Sequence, residues 1–131
     1  MSRDHRKLDV FRLADGLVID VYRDTARFPA SERYGLSAQL RRAAVSIPTN
    51  IVEGCARATE KEYLRFLQIA VGSARELSYL VDLSFRLDFV KHSTARDLTD
   101  KTEHIAAMLL ALRSSLRSKI PNVGNRTTRK P

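Results

Sequence analysis

Six polar residues, Gln39, Arg42, Ser46, Asn50, Glu53 and Arg57, recur at steps of three or four along one stretch of the chain. On a helix, steps of that size place all six on one side. Guanidinium, carboxylate, hydroxyl and amide groups gathered there can hold a hydrogen-bond network or meet phosphates in a groove. Leu36, Leu40, Ala43 or Ala44, Ile47 and Ile51 form the apolar face of the same segment, and Pro48 falls inside it. An interior proline costs about 3 kcal/mol, because it lacks an N–H and its ring crowds the carbonyl one turn back. It frees the Ala44 carbonyl, and Ser46 or Asn50 is placed to repair the local network. Two readings of the stripe stand side by side. The favoured one is a network that fixes helix packing, since buried polar networks specify packing. The other is a groove that meets phosphates through Arg41, Arg42 and Arg57. Arg41 and Arg42 point about 100° apart, so one belongs to the stripe and the other faces outward, either solvated or toward an anion.

Signals for catalysis are weak elsewhere, and no catalytic, cofactor-binding or metal-ligating residue is expected. His5, His92 and His104 are far apart, and none has a second ligand four residues on to suggest zinc on a helix. Glu103 and His104 are adjacent and so face different ways, which makes His104 a solvated or interface residue. Cys55 beside Gly54 reads as a small packing residue. Val71-Gly72-Ser73-Ala74 lacks the Gly-Lys-Ser/Thr ending of a phosphate loop, and Gly72 there is expected to permit close helix approach. Phe11, Tyr63, Phe66 and Phe85 fall near apolar stripes, so no stacking platform for single-stranded RNA is expected.

Composition sets the frame for these groups. One cysteine in 131 residues excludes an intramolecular disulfide and a multi-cysteine zinc site. No run approaches the ~20 apolar residues of a membrane span, and the charged N-terminal segment lacks a secretory apolar core. A cytoplasmic protein is the expectation. The net charge of +8 is uneven, with six cations against three acids over 91–120 and three cations against none over 121–131. Such a balance attracts polyanions, nucleic acid first among them.

Four helices must position these residues. The first is predicted from Leu8 to Arg27, with adjoining stripes Leu8, Phe11, Val18 and Val10, Ala14, Leu17, Val21. Phe28-Pro29 ends it, and Ser31 is the expected N-cap of the following turn. The second helix settles after Gly35 and reaches Cys55 or Arg57, with small residues near Gly54 allowing a neighbour to approach. Thr59 with Glu62 is a capping-box pattern that starts a third helix, predicted to reach about Asp88. Ser93 is the expected cap of the fourth, whose Leu98, Thr102, Ile105, Leu109, Leu112 and Leu116 form a heptad seam. Short connections predict an all-α, up-down-up-down antiparallel four-helix bundle, kinked at Pro48. Residues 1–120 form one domain, and residues 121–131 are expected to be a disordered basic tail. Ala106, Ala107, Met108, Leu110 and Ala111 nearly encircle the fourth helix outside its seam, which argues for oligomerisation.

Phe28-Pro29 with Glu32, Tyr34-Gly35-Leu36, Gln39 to Ala43, Ser46-Ile47-Pro48, and Asn50-Ile51 with Glu53-Gly54 and Arg57 form one block. Tyr63 to Leu67 and Ala70 to Leu77 form a second. Together they resemble the four-helix-bundle proteins encoded in intervening sequences of bacterial 23S ribosomal RNA genes, relatives of the accessory variability protein of diversity-generating retroelements. The resemblance covers roughly Leu8 to Leu116. It implies a ring-like homopentamer of four-helix bundles and association with nucleic acid. For the retroelement relatives it implies binding to a reverse transcriptase, and it implies no catalytic activity.

The expectation is therefore a non-enzymatic oligomer that contacts structured RNA or DNA electrostatically through Arg41, Arg42, Arg57, Arg113, Arg117 and Lys119. Arg126, Arg129 and Lys130 supplement these from the tail. The alternative is a protein-interaction scaffold, such as an accessory subunit of a nucleic-acid enzyme, that does not bind nucleic acid itself. No membrane partner is expected.

Overall fold

The structure is a computed structural model that describes residues 3–117, all helix, turn and connecting segments with no strand among them. Four helices carry it: α1 (Asp9–Thr25), α2 (Leu36–Cys55), α3 (Glu60–Arg86) and α4 (His92–Arg117). α1 lies against α2 and α4, and α3 likewise lies against α2 and α4. One apolar core fills the space between them. Its fully covered side chains include Leu17 and Val21 of α1, Leu40, Ile47 and Ile51 of α2, Tyr63, Leu67 and Leu77 of α3, and Ile105 and Leu109 of α4. The apolar periodicity of each segment thus becomes its buried face. On α1 the stripe Val10, Ala14, Leu17, Val21 is buried, while Leu8, Phe11 and Val18 pack half-covered beside it.

Helix ends follow local chemistry more closely than spacing alone foretells. A short 3-10 turn, Ala30–Glu32, precedes α2, so Ser31 lies inside that turn and caps nothing. The capping role belongs to Glu32, whose carboxylate accepts the Leu36 N–H at 3.1 Å. Thr59 caps α3 as expected, its hydroxyl accepting the Glu62 N–H at 3.1 Å. α3 ends two residues short of Asp88, which takes a left-handed conformation with φ of 63°. The Asp88 and Phe89 N–H groups then donate back to the Phe85 and Ser84 carbonyls at 3.0 and 2.9 Å, satisfying the last turn. α4 begins at His92, so Ser93 lies within the helix and is not its cap. In the α4 seam, buried Thr102 satisfies its hydroxyl on the Leu98 carbonyl at 2.6 Å, so a polar seam position costs no unpaired group. The seam closes from Leu98 to Leu109, and Leu112 and Leu116 pack half-buried at its end.

Candidate nucleic-acid interface

α2 runs as one helical element through buried Pro48, and its polar stripe lies along the side facing α3. The middle of the stripe is a directed chain of hydrogen bonds. Asn50 Nδ2 donates to Ser46 Oγ at 3.0 Å, and the Ser46 and Ser73 hydroxyls meet at 2.7 Å. Ser73 Oγ donates to the Ile69 carbonyl at 3.2 Å. Each hydroxyl has one proton, so the Ser46 hydroxyl must be the donor to Ser73. On either side of Pro48, Asn50 also donates to the Ser46 carbonyl and Thr49 to the Val45 carbonyl, both at 2.7 Å. These side chains strengthen the backbone around the residue that lacks an N–H. Ser46 and Asn50 are half-buried, so the centre of the stripe is packing between α2 and α3.

The stripe's two ends differ from its centre. Gln39 and Arg42 are exposed, and Arg42 carries no ion pair among the described residues. At the far end Glu53, in the last turn of α2, accepts from Arg57, just past the helix end, at 2.9 Å. The Arg57 guanidinium covers the Phe66 ring at 4.8 Å, and Arg65 approaches the same ring at 5.0 Å. Arg57 Nε is buried there without a hydrogen-bond partner. Gly54 makes this junction possible. A Cβ on it would stand 3.0 Å from both Phe66 Cβ and Tyr63 Cδ1, so the absence of a side chain lets α3 cross close to α2. Gly72 is the opposite case and corrects the expectation for it. It is exposed, with nothing within 4 Å of a would-be Cβ, so it is not a close-approach point.

Arg41 turns away from the stripe, as its angle demands, yet it is half-covered and held by partners on α1. Its Nε donates to Thr25 Oγ1 at 2.8 Å, its Nη2 donates to the Tyr22 carbonyl at 3.2 Å, and it stacks over the Tyr22 ring at 4.5 Å. It is a cation at the C-terminus of α1, where the helix dipole and unpaired carbonyls favour one. The sequence signal existed: a basic residue early in α2 opposite the last turn of the preceding helix.

Some basic residues of the helix faces are matched locally, while Arg42, Lys61 and Arg75 have no ion pair among the described residues. Arg86 pairs with Asp82 and Arg96 with Asp100, each at 2.9 Å, and Lys101 bridges Asp20 and Asp97 at 2.9 and 3.0 Å. Arg113 is half-buried and Arg117 exposed at the end of α4, and neither has an ion pair among the described residues. Lys119, Arg126, Arg129 and Lys130, with the rest of the tail, lie outside the described residues. The six expected contact residues are thus not one cluster. Arg42 lies in the first half of α2 and Arg57 two residues past its end, fifteen positions apart in sequence.

Side chains able to do other chemistry are occupied or dispersed. His5 packs edge-on to Phe11 with centroids 4.7 Å apart, and His92 edge-on to Phe85 at 5.5 Å. His104 is exposed on α4. Burial pushes the Cys55 thiol above its ordinary pKa and, with Cys55 beside it, raises the Tyr63 phenol to about 12. Both groups stay protonated near neutrality. Among the described residues no cluster of His, Cys, Asp and Glu is arranged to hold a metal ion, and no helix is long and apolar enough to cross a membrane. The aromatic expectation was incomplete. Tyr34 and Tyr79 are exposed at 87% and 58%, so aromatic faces do reach the surface, where they lie outside the apolar periodicity.

A crystal structure of a protein of unknown function from the S23 ribosomal protein family of Bacteroides thetaiotaomicron VPI-5482 has the same fold. It aligns with a TM-score of 0.72 at 19% identity, covering 79% of this chain and 97% of that one. No curated protein matches the chain. The family model described as 23S rRNA-intervening sequence protein matches residues 6–111. That span takes in all of α1, α2 and α3 and most of α4, so this chain belongs to the 23S rRNA-intervening sequence protein family.

Proposed function

We propose that this protein is a cytoplasmic, non-enzymatic oligomer of four-helix bundles that associates with structured RNA or DNA through the basic end of α4. The observation that carries this reading is charge. Residues 104–131 hold six cations and no acid, and Arg113 and Arg117, the two of them described, have no ion pair among the described residues. Over the rest of the surface, local acids offset most of the cations. A chain end of one sign contacts a phosphate backbone without needing base-specific geometry.

In this reading the helices alternate in direction. The Lys101 to Asp20 bridge and the Phe28 to Phe89 ring contact at 5.4 Å support that arrangement. It sets Arg113 and Arg117 at the same end as Arg57 and the N-terminal cations, with Arg41 and Arg42 at the other. α2 bends at Pro48, and the units close into a ring, the pentamer implied by resemblance, which repeats the basic end around an axis. Repetition raises avidity without any new contact. Protonated Cys55, a high-pKa Tyr63 and the packing of His5 and His92 on rings support a role without catalysis.

Charge reversal tests the reading: R113E/R117E should bind a structured RNA more weakly and with a shallower salt slope than the parent protein. Binding unchanged in strength and slope would remove these two residues from the interface. A second reading is favoured by the exposed Ile19 and Tyr79, 56% and 58% accessible. There the surface receives a protein, such as a reverse transcriptase or another nucleic-acid enzyme, and the charge is incidental. A nuclease-treated preparation that shows no shift with RNA at low salt supports that alternative.

A further inference from the structure

Arg3 makes three contacts of different kinds with the corner where α2 ends and α3 begins. Its backbone N–H donates to the Cys55 carbonyl at 2.8 Å, and its guanidinium lies 4.1 Å from the Tyr63 ring centroid. It also forms an ion pair with Glu60, the first residue of α3. Beneath it Cys55 and Tyr63 are each 1% exposed, close enough for each to shift the other's pKa. The other side of this segment is tied to α1. Asp4 accepts the Arg6 N–H and caps a short 3-10 turn, His5–Lys7. His5 packs on Phe11, and Arg12 donates to the Arg6 carbonyl at 2.8 Å.

We propose that residues 3–7 form a latch, anchored on α1, whose Arg3 closes the α2–α3 corner and whose release uncovers the Cys55 thiol and the Tyr63 phenol. The two anchorages are unequal. The α1 side is continuous chain with a capped turn and a packed ring. Among the described residues the side-chain contacts of the corner side come from Arg3, through a partly exposed ion pair of modest strength and a ring contact, beside one backbone hydrogen bond and the approach of the 3-10 turn to α2. Such a segment opens locally at far lower free energy than the bundle unfolds. Cys55 is the last residue of α2 and Tyr63 lies in the first turn of α3. Lifting Arg3 therefore exposes both without breaking either helix. In the closed state burial keeps the thiol protonated and unreactive.

The reaction of the single cysteine with 5,5′-dithiobis(2-nitrobenzoate), under native conditions in the full chain, reads the latch directly. Arg3→Ala and Glu60→Gln should each speed the reaction, Arg3→Ala by about tenfold, with little change in the thermal midpoint. Arg41→Ala is the control, because it cuts a comparable clamp between α1 and α2 and leaves the latch intact. It should react at the parent rate. Equal rates in the parent, Arg3→Ala and Glu60→Gln overturn the proposal. So does an equal acceleration in Arg41→Ala, which would show that the thiol is reached by general loosening of the bundle.

Discussion

At the residue scale, the Ser46 to Ser73 contact joins α2 to α3 by a directed chain that ends on a backbone carbonyl. Ser73→Ala removes the acceptor for Ser46 and should lower stability by about 1 kcal/mol, read by urea unfolding. A neutral outcome would mean that water replaces the bond at no cost. The two helix glycines give a sharper contrast. Gly54→Ala forces a methyl against Tyr63 and Phe66 and should destabilise by about 1–3 kcal/mol. Gly72→Ala meets open space on an exposed helix face and should stabilise by about 0.5–1 kcal/mol. The same unfolding series checks both, and effects of equal sign contradict the packing described. The sequence made Gly54 readable, because it extends an apolar face by one turn. Gly72 was not readable, since a mid-helix glycine looks alike whether a neighbour crosses it or nothing does. The polar stripe was readable as a face, but its division into a packed centre, an exposed start and an end stacked on Phe66 was not. That division depends on a serine of α3, 27 positions away in sequence.

At the element scale, apolar spacing placed all four helices, while side chains reaching back to the backbone set their ends. Thr59 was legible because its partner is three residues away. Glu32 was overlooked in favour of Ser31 because its acceptor role depends on the path of the chain through Gly35. Thr59→Ala should therefore cost about 1 kcal/mol, whereas Ser31→Ala should be neutral by the same thermal unfolding. Asp24, near the end of α1, carries a pH prediction. Burial and, next, the charge of Asp20 raise its pKa in the folded state. The folded chain thus holds this proton more tightly than the unfolded chain. Its contribution falls as pH rises from the ordinary carboxylate value through the raised one, and the cost persists at neutral pH. Asp24→Asn should raise the thermal midpoint at pH 7, with the gain vanishing in acid below the unfolded value. A gain independent of pH would assign the effect to packing.

At the scale of the whole molecule, the described surface carries many local ion pairs, and the run of cations without an intervening acid begins toward the end of α4. Segment counts showed the excess in 91–131 but not which cations are paired, because pairs such as Lys101 with Asp20 span two helices and cannot be cancelled by reading along the chain. Arg41 shows the same limit in reverse: a residue that reads as a free cation is committed to the end of α1. The proposed ring predicts a mass by light scattering that is a multiple of the 14.8 kDa chain, and a monomer mass would remove the argument from repeated basic ends. The most direct test of the account is the salt dependence of binding to a fluorescent structured RNA, followed by anisotropy from about 50 to 200 mM salt. The parent protein should bind with an affinity that falls steeply as salt rises, while R113E/R117E binds more weakly with a shallower slope. Absence of binding by the nuclease-treated parent at the lowest salt would contradict the account.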